Sequence, residues 1–230
     1  EEQLDMPYVK IPSGEIHSVD MLDYIGSRHR PVLLSTGASS FEDIARALDI
    51  LESAGTRDIT ILHCVSNYPA PADDIHLNVI PELKARFGYL VGYSDHTLGN
   101  DCAIAAVALG ATVVEKHVTL DRDAAGPDHQ ASATIDEFQA LVNSIRTIER
   151  ALGGREKIFS DAETKIRGAV RKSIVAARDI EAGAVITRDD LCFKRPGNGI
   201  SPLEIAAVVG QTARRPLSAD RLIQPDDLDL

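Results

Sequence analysis

The chain has 230 residues, of which 44 % are hydrophobic and 26 % are charged, and its formal net charge is −11. This composition is typical of a globular protein with one or two domains, and the negative charge argues against nucleic acid and anionic membranes as partners. No stretch approaches the roughly 20 apolar residues of a membrane-spanning helix, and the three widely spaced cysteines argue against a disulfide framework and for a cytoplasmic location.

Short apolar segments alternate with amphipathic ones through the first two thirds of the chain. The apolar segments are rich in Val, Ile and Leu and predict strands buried on both faces, at residues 8–11, 31–35, 59–64, 90–93 and 112–116. Helices are predicted at residues 41–54, 78–87, 101–109 and 135–152. The first and last of these helices open with N-terminal capping patterns, Ser40-x-x-Asp43 and Thr134-x-x-Glu137. This alternation is typical of a parallel sheet.

The domain organisation follows from this rhythm. A (β/α)8 barrel contains eight such units in about 250 residues, whereas residues 1–154 contain five. Either the sheet is open or the chain holds only the last five units of a barrel. We expect the second, and we expect the chain alone to be inactive or to be one ordered part of a longer chain. Residues 155–171 predict a charged linker with room for one helix. Residues 172–230 predict a small β-rich domain, with strands at 173–176 and 184–186 and helical turns over 202–209.

A polar cluster follows each of the five predicted strands. Turn formation would explain any single cluster, because Ser, Gly, Pro and Asn are turn residues. Five clusters that include Lys, Glu, Asp and His, at strand ends that meet on one face of a parallel barrel, indicate an active site instead. The clusters lie at residues 10–15, 35–37, 63–69, 92–97 and 115–117.

Two histidines carry the strongest indication of metal chemistry. His96 and His117 end consecutive strands, which places them roughly 5 Å apart across the sheet. Imidazoles at that separation are good ligands for Mn²⁺, Fe²⁺ or Zn²⁺. A third ligand, a carboxylate or water, is required. Asp95 and Glu115 are near but each precedes its histidine, and His129 is a weaker candidate.

The other strand ends are rich in hydrogen-bond donors. Lys10, Ser13, Ser35 and Ser94 are the residue types that bind a phosphate or a carboxylate. An alternative is a Schiff-base aldolase, in which Lys10 or Lys116 attacks a carbonyl substrate.

Taken together, these motifs resemble the sialic acid synthase family, which includes N-acetylneuraminate, legionaminate and pseudaminate synthases. The matching segments occur in the family's order along nearly the whole chain: Lys-Ile-Pro-Ser-Gly-Glu, Leu-Ser-Thr-Gly, His-Cys-x-Ser-x-Tyr-Pro-x-Pro, Gly-Tyr-Ser-Asp-His-Thr, Glu-Lys-His-x-Thr-Leu-Asp and Gly-Pro-Asp-His. Residues 194–201, Lys-Arg-Pro-Gly-Asn-Gly-Ile-Ser, resemble the signature of the family's C-terminal antifreeze-like (SAF) domain. The resemblance implies a TIM barrel followed by that domain.

The resemblance also implies an activity. Members condense phosphoenolpyruvate with N-acetylmannosamine or a related amino sugar, and release phosphate by C–O cleavage to form a sialic acid. His96 and His117 would hold a divalent metal, usually Mn²⁺, with Mg²⁺, Co²⁺ or Fe²⁺ as alternatives. The residues expected to bind phosphoenolpyruvate are Lys10, Ser13, Ser35, Ser66 and Ser94, although some members have Asn in place of Ser66. The residues expected to bind the sugar or lie beside it are Glu15, Tyr68, Glu115 and Asp128.

Two further expectations concern proton transfer and assembly. Glu15 would manage protons and Lys10 would stabilise the phosphate charge. Arg195 would reach from the small domain into a neighbouring subunit and touch the sugar's N-acetyl group, which requires a homodimer with swapped small domains. The acceptor sugar stays open at this point, and the non-enzymatic alternative is that residues 172–230 form a carbohydrate- or ice-binding module.

Overall fold

The structure is a computed structural model that describes residues 6–229; residues 1–5 and 230, at the outer ends of the two predicted domains, lie outside the described residues. The chain divides into two compact units, Glu1–Gly154 and Arg155–Leu230. Each unit has its own cluster of buried apolar side chains. Between residues 6 and 229, no helix combines the length and apolar character that a membrane crossing requires.

The first unit is built on a curled five-stranded sheet in which every neighbouring pair is parallel. The strands lie side by side in chain order: β1 (Val9–Ile11), β2 (Val32–Ser35), β3 (Ile59–Cys64), β4 (Leu90–Asp95) and β5 (Val114–Lys116). This arrangement confirms the predicted α/β fold with five successive βα units. Because all strands run the same way, their carboxyl ends share one edge of the sheet.

Helices cover the sheet between the strands. They are α1 (Val19–Gly26), α2 (Phe41–Ala54), α3 (Val79–Phe87), α4 (Asp101–Ala108) and α5 (Ile135–Leu152). The predicted caps of α2 and α5 are confirmed, since Ser40 and Thr134 each accept a hydrogen bond from the backbone N–H three residues on. The carboxylates of Asp43 and Glu137 accept the reciprocal bonds. Helix α1 was not predicted.

A short strand pair follows the sheet. Strand β6 (Val118–Thr119) pairs in parallel with β7 (Ala133–Thr134), which leads directly into α5. The pair brackets the loop of residues 120–132. Its position matters for the site because β6 begins immediately after His117.

The sheet is buried on both faces beneath the strand ends. All six residues of β3 are buried, and Ile61 and Leu62 have no accessible surface. Burying a side chain of this size contributes about 2 kcal/mol relative to leaving it exposed. The side chains that project from the carboxyl edge of the sheet therefore stand on a close-packed base.

The second unit contains α6 (Asp161–Val170), the antiparallel strands β8 (Ser173–Ala176) and β9 (Leu191–Lys194), and α7 (Ile205–Val208). Strand β8 confirms the prediction at residues 173–176, and α7 with the 3-10 turn before it occupies the predicted helical segment. The strand prediction at residues 184–186 is wrong, because Val185 forms only an isolated bridge with Thr212. Helix α6 lies in the segment predicted as a linker.

A six-residue turn motif occurs twice in the second unit. Residues 186–191 and 223–228 read Ile-Thr-Arg-Asp-Asp-Leu and Ile-Gln-Pro-Asp-Asp-Leu. In each, the side chain of the second aspartate accepts the backbone N–H three residues earlier, from Thr187 to Asp190 at 2.8 Å and from Gln224 to Asp227 at 2.9 Å. Both aspartates are buried, so each closes a short 3-10 turn inside the unit.

Candidate active site

A cavity of about 380 Å³ opens at the carboxyl edge of the sheet. Its walls come from all five strand ends and from the loop of residues 120–132: Lys10, Pro12, Ser13, Ser35, Ser66, Tyr68, Ser94, His96, Glu115, His117 and Asp128. The structure therefore brings together most of the residues assigned to substrate or metal from the sequence. Glu15 is not among the lining residues, and Arg195 belongs to the second unit.

One wall of the cavity is rich in donors. Lys10 stands on β1, and the Ser13 hydroxyl accepts a hydrogen bond of 2.8 Å from the Gly37 backbone N–H. Ser35 is buried, and within residues 6–229 its hydroxyl finds no hydrogen-bond partner. Since buried polar atoms are nearly always paired, an unpaired hydroxyl on a cavity wall indicates a place for a polar ligand atom.

Glu115 also belongs to this donor-rich wall. Its carboxylate accepts a 2.6 Å hydrogen bond from the Ser94 hydroxyl and lies 3.4 Å from the Lys10 ammonium. Lys10 and Glu115 are half-buried. The wall thus carries one cation, one carboxylate and several hydroxyls within reach of the same small ligand.

The two histidines line the same cavity. Their ring centroids are 5.4 Å apart, and the rings are nearly perpendicular. His96 Nδ1 lies 2.8 Å from the Val65 carbonyl oxygen. A carbonyl only accepts, so Nδ1 carries the proton and the Nε2 lone pair is free to bind a metal. His117 Nδ1 lies 3.8 Å from the Asp128 carboxylate.

This donor set fits a divalent ion with open coordination positions. Two imidazoles suit several first-row metals. In the described part of the chain, no group of three or more His, Cys, Asp or Glu side chains is arranged to enclose a metal. A divalent ion held by these two imidazoles would keep positions for water and substrate oxygens, as a metal that acts on a substrate does.

Tyr68 links the imidazoles to the loop of residues 120–132. Its ring centroid lies 4.4 Å from that of His117 and 5.4 Å from that of His96. Its hydroxyl is 3.0 Å from the Ser132 hydroxyl, which donates to the Asp128 carbonyl. Partial burial raises the pKa of Tyr68, so the phenol is neutral near pH 7 and able to donate a hydrogen bond.

Two reactive residue types near the cavity are held in unreactive forms. Burial raises the pKa of the Cys64 thiol, which keeps it protonated and argues against a thiolate nucleophile. The Lys116 ammonium is buried in an ion pair with Asp95 and does not line the cavity. Of the two lysines considered for a Schiff base, the cavity therefore presents Lys10.

Three residues singled out from the sequence lie elsewhere. Glu15 accepts a hydrogen bond of 2.5 Å from Ser18. His129 is bonded through Nδ1 to the Thr119 hydroxyl at 2.8 Å. In the second unit, the Arg195 guanidinium donates to the Val170 carbonyl. The substrate contacts expected of Glu15 and Arg195 stay predictions.

Sequence reasoning missed three contributors to the site. The Gly37 backbone holds Ser13, Ser132 holds Tyr68, and the Asp95–Lys116 pair lies behind the imidazoles. A period of two along a strand places Asp95 and Lys116, each one residue before a histidine, on the other face, but the three residues of β5 are too few to show that period in the sequence.

Two family models match nearly the whole chain. The model of the NeuB family matches residues 2–157, and that of the SAF domain matches residues 171–229. The N,N'-diacetyllegionaminic acid synthases of Campylobacter jejuni and Legionella pneumophila are 42 % and 43 % identical over 96 % and 94 % of this chain. The chain spans 67 % and 62 % of their own lengths.

A solved structure shows the same architecture. The crystal structure of a spore coat polysaccharide biosynthesis protein E from Chromobacterium violaceum covers all of this chain with a TM-score of 0.78 and 31 % identity, and the chain covers 69 % of it. With a family model matched over more than half its length, the chain belongs to the NeuB family and carries a SAF domain.

Proposed function

We propose that the protein condenses phosphoenolpyruvate with an acetamido sugar to form a nonulosonic acid, releasing phosphate, with Mn²⁺ as the metal. The observation that carries the proposal is a single cavity that is lined both by the donor-rich wall and by two imidazoles. The unpaired, buried hydroxyl of Ser35 on that wall supports the presence of a polar ligand group there.

The donor wall suits phosphoenolpyruvate. The Lys10 ammonium and the hydroxyls of Ser13, Ser35, Ser66 and Ser94 offer a positive charge and several hydrogen bonds, which the phosphate and carboxylate groups require. These groups also stabilise the charge on the departing phosphate, in a protein whose net charge would otherwise repel it.

His96 and His117 are the proposed metal ligands, and a bound divalent ion would supply Lewis-acid polarisation of the sugar's aldehyde. C3 of phosphoenolpyruvate forms the new bond to the aldehyde carbon. Water adds to C2, and one of its protons balances the proton gained by the aldehyde oxygen. The C2–O bond to phosphate then breaks, the second water proton leaves with the phosphate, and C2 becomes the ketone of a keto acid. Glu115 lines the cavity and Glu15 does not, so we assign Glu115 to receive the proton of the attacking water.

The acceptor sugar is proposed from the relatives. Two proteins at 42 % and 43 % identity are named N,N'-diacetyllegionaminic acid synthase, which supports a diacetamido hexose. N-acetylmannosamine, the acceptor first expected from the sequence motifs, is the alternative. The two sugars differ by small groups, and discrimination between them rests on a few contacts in the cavity.

Phosphate release from phosphoenolpyruvate by the full-length protein, measured with each acceptor sugar, tests the proposal. We expect release only with an acceptor, its loss after chelation, and its recovery with Mn²⁺. His96→Ala should lower the rate by at least roughly 100-fold, because it removes one of the two imidazole ligands. His17→Ala, which changes an exposed histidine outside the cavity, is the matched control and should retain the wild-type rate.

Two outcomes would overturn the proposal. The first is unchanged activity of the His96→Ala variant together with unchanged Mn²⁺ content. The second is borohydride trapping of a substrate on Lys10, which would establish the Schiff-base aldolase instead.

A further inference from the structure

A buried ion pair lies directly behind the two imidazoles. The Lys116 ammonium is 2.8 Å from the Asp95 carboxylate, and the two side chains are 3 % and 0 % exposed. Lys116 also donates to the Thr97 carbonyl at 2.8 Å. The second carboxylate oxygen of Asp95 accepts the backbone N–H and the hydroxyl of Thr97, at 2.9 and 2.7 Å. The pair therefore has further hydrogen bonds on both members, all within the tips of β4 and β5.

The register of the sheet places this pair next to the two histidines in sequence but on the other face of the strand tips. Asp95 lies opposite Lys116 in the β4–β5 ladder, and each residue immediately precedes a histidine. Because side chains alternate across a strand, the flanking residues turn to the cavity while the pair turns to the other face. The lining of the cavity shows this alternation, since it includes Ser94, His96, Glu115 and His117 but neither Asp95 nor Lys116.

Stability is a weak reason for such a pair. Removing two charges from water is costly, and buried ion pairs are often matched or exceeded in stability by apolar residues of similar volume. Unlike apolar residues, the pair makes a directional contact. A charge-assisted hydrogen bond fixes the distance between two side chains, and here it fixes the distance between the two strand tips that carry the imidazoles.

We propose that Asp95 and Lys116 are positioning residues that set the spacing and orientation of His96 and His117 and thereby the affinity for the divalent ion. The identity of that ion rests on the proposed function. Outer-shell groups that hydrogen-bond to metal ligands typically change metal affinity by about 10- to 100-fold when they are removed, and we expect the same range for this pair, which acts on the imidazoles through the strand tips.

The test uses Lys116→Met, Asp95→Asn and the double variant of the 230-residue chain. Mn²⁺ affinity is measured by calorimetry on metal-stripped protein, and the tautomer of His96 by ¹H–¹⁵N correlation spectra. Each single variant should weaken Mn²⁺ binding by about 10- to 100-fold. The double variant carries no buried charge at these positions, so it should regain thermal stability while its Mn²⁺ affinity stays as low as in the single variants.

A purely structural role predicts a different pattern, in which affinity recovers together with stability in the double variant. Leu83→Ala is the control for destabilisation, because Leu83 is buried in α3. It should lower the melting temperature and leave Mn²⁺ affinity unchanged. Mn²⁺ affinities within twofold of wild type in all three pair variants would overturn the proposal.

The metal-free spectra separate this inference from the proposed function. Wild-type protein should show His96 protonated at Nδ1, as the bond to Val65 requires, and the pair variants should show mixed tautomers. If wild-type protein binds no Mn²⁺, the metal proposal fails, and an unaltered His96 tautomer in the variants would then overturn the positioning role on its own.

Discussion

At the scale of single residues, Gly37 shows how the donor wall is assembled. Its backbone N–H donates to Ser13, and a Cβ added at Gly37 would lie 2.2 Å from the Ser66 hydroxyl oxygen and 2.9 Å from that of Ser13. Real Cβ atoms do not approach other atoms so closely. The missing side chain is therefore what lets the loops after β1, β2 and β3 meet around one ligand.

A Gly37→Ala substitution tests this close approach. The added methyl group must displace Ser13 and Ser66 from the wall, and we expect the affinity for phosphoenolpyruvate to fall by roughly tenfold, as overpacking typically costs about 1–3 kcal/mol. Calorimetric titration with phosphoenolpyruvate measures the change. Gly14→Ala is the matched control, because no atom lies within 4 Å of a Cβ there. Equal affinities for the two variants would contradict the prediction.

The convergence of the site was predictable, whereas the side-chain directions were not. The carboxyl ends of parallel strands share one edge, so Lys10, Ser94 and His96 had to meet once the strands were recognised. Whether the side chains of Asp95 and Lys116 point into the cavity or away from it depends on which face of the sheet each residue occupies. Strand β5 has only three residues, too few for a period of two to show in the sequence.

At the scale of elements, the paired 3-10 turns of the second unit depend on buried carboxylates. Hydrogen bonds from the Thr187 hydroxyl and backbone N–H lower the pKa of Asp190 to about 2. The pKa of Asp227 is also lowered, because hydrogen bonds from the Gln224 N–H and Arg215 and the charge of Arg221 outweigh its burial. Each turn therefore holds an ionised carboxylate at neutral pH.

The lowered pKa of Asp190 predicts an acid-sensitive second unit. A carboxyl whose pKa is lower in the folded state stabilises the fold above its unfolded pKa, near 4, and loses that contribution as the pH falls towards 2. We expect Asp190→Asn to lose about 1–3 kcal/mol at pH 7, since it weakens the bonds that Thr187 donates, and to flatten the decline between pH 4 and 2. Urea unfolding followed by circular dichroism at several pH values measures both effects.

The exposed neighbour Asp189 provides the control for this turn. Asp189→Asn should leave the unfolding free energy within about 0.5 kcal/mol of wild type. An equal loss in both variants would show that the carboxylate of Asp190 has no special role.

Helices and strands were predicted correctly where the local sequence signal agrees with the tertiary structure. Helices α2 and α5 have complete capping boxes and were found with correct bounds. Helix α1 has no such signal, because the hydroxyl of Ser18 at its N-terminus is bonded to Glu15 and caps nothing. The segment around Val185 has strand-like residues that bond to residues 210–213, but the pairing is a single bridge, so tertiary contacts rather than propensity decided its structure.

At the scale of the whole molecule, the two units can be followed separately in one sample. The chain has no tryptophan, and its five tyrosines are Tyr8, Tyr24, Tyr68, Tyr89 and Tyr93. All of them belong to the first unit. Tyrosine fluorescence therefore reports only on the first unit, whereas circular dichroism reports on both.

Asp227→Ala should destabilise the second unit alone. The change removes a buried carboxylate that pairs with Arg215 and Arg221 and accepts the Gln224 backbone N–H, and we expect a loss of about 2–4 kcal/mol. Urea unfolding should show an earlier transition in circular dichroism with an unchanged midpoint in tyrosine fluorescence. Asp226→Ala, at the exposed position beside it, should change neither. A common shift of both midpoints would show that the units unfold together.

The alternation at the tip of β4 also limits how this chain can change in length. Ser94 and His96 face the cavity, whereas Asp95 faces away from it. A one-residue insertion or deletion within Leu90–Asp95 would exchange the two faces, burying an imidazole and turning a carboxylate into the cavity. The loop of residues 120–132 carries no such alternation, so it can change in length where Asp128 keeps its place in the cavity and Tyr68 its bond to Ser132. Among relatives, β4 is accordingly expected to keep a constant length, while insertions and deletions collect in the rest of this loop.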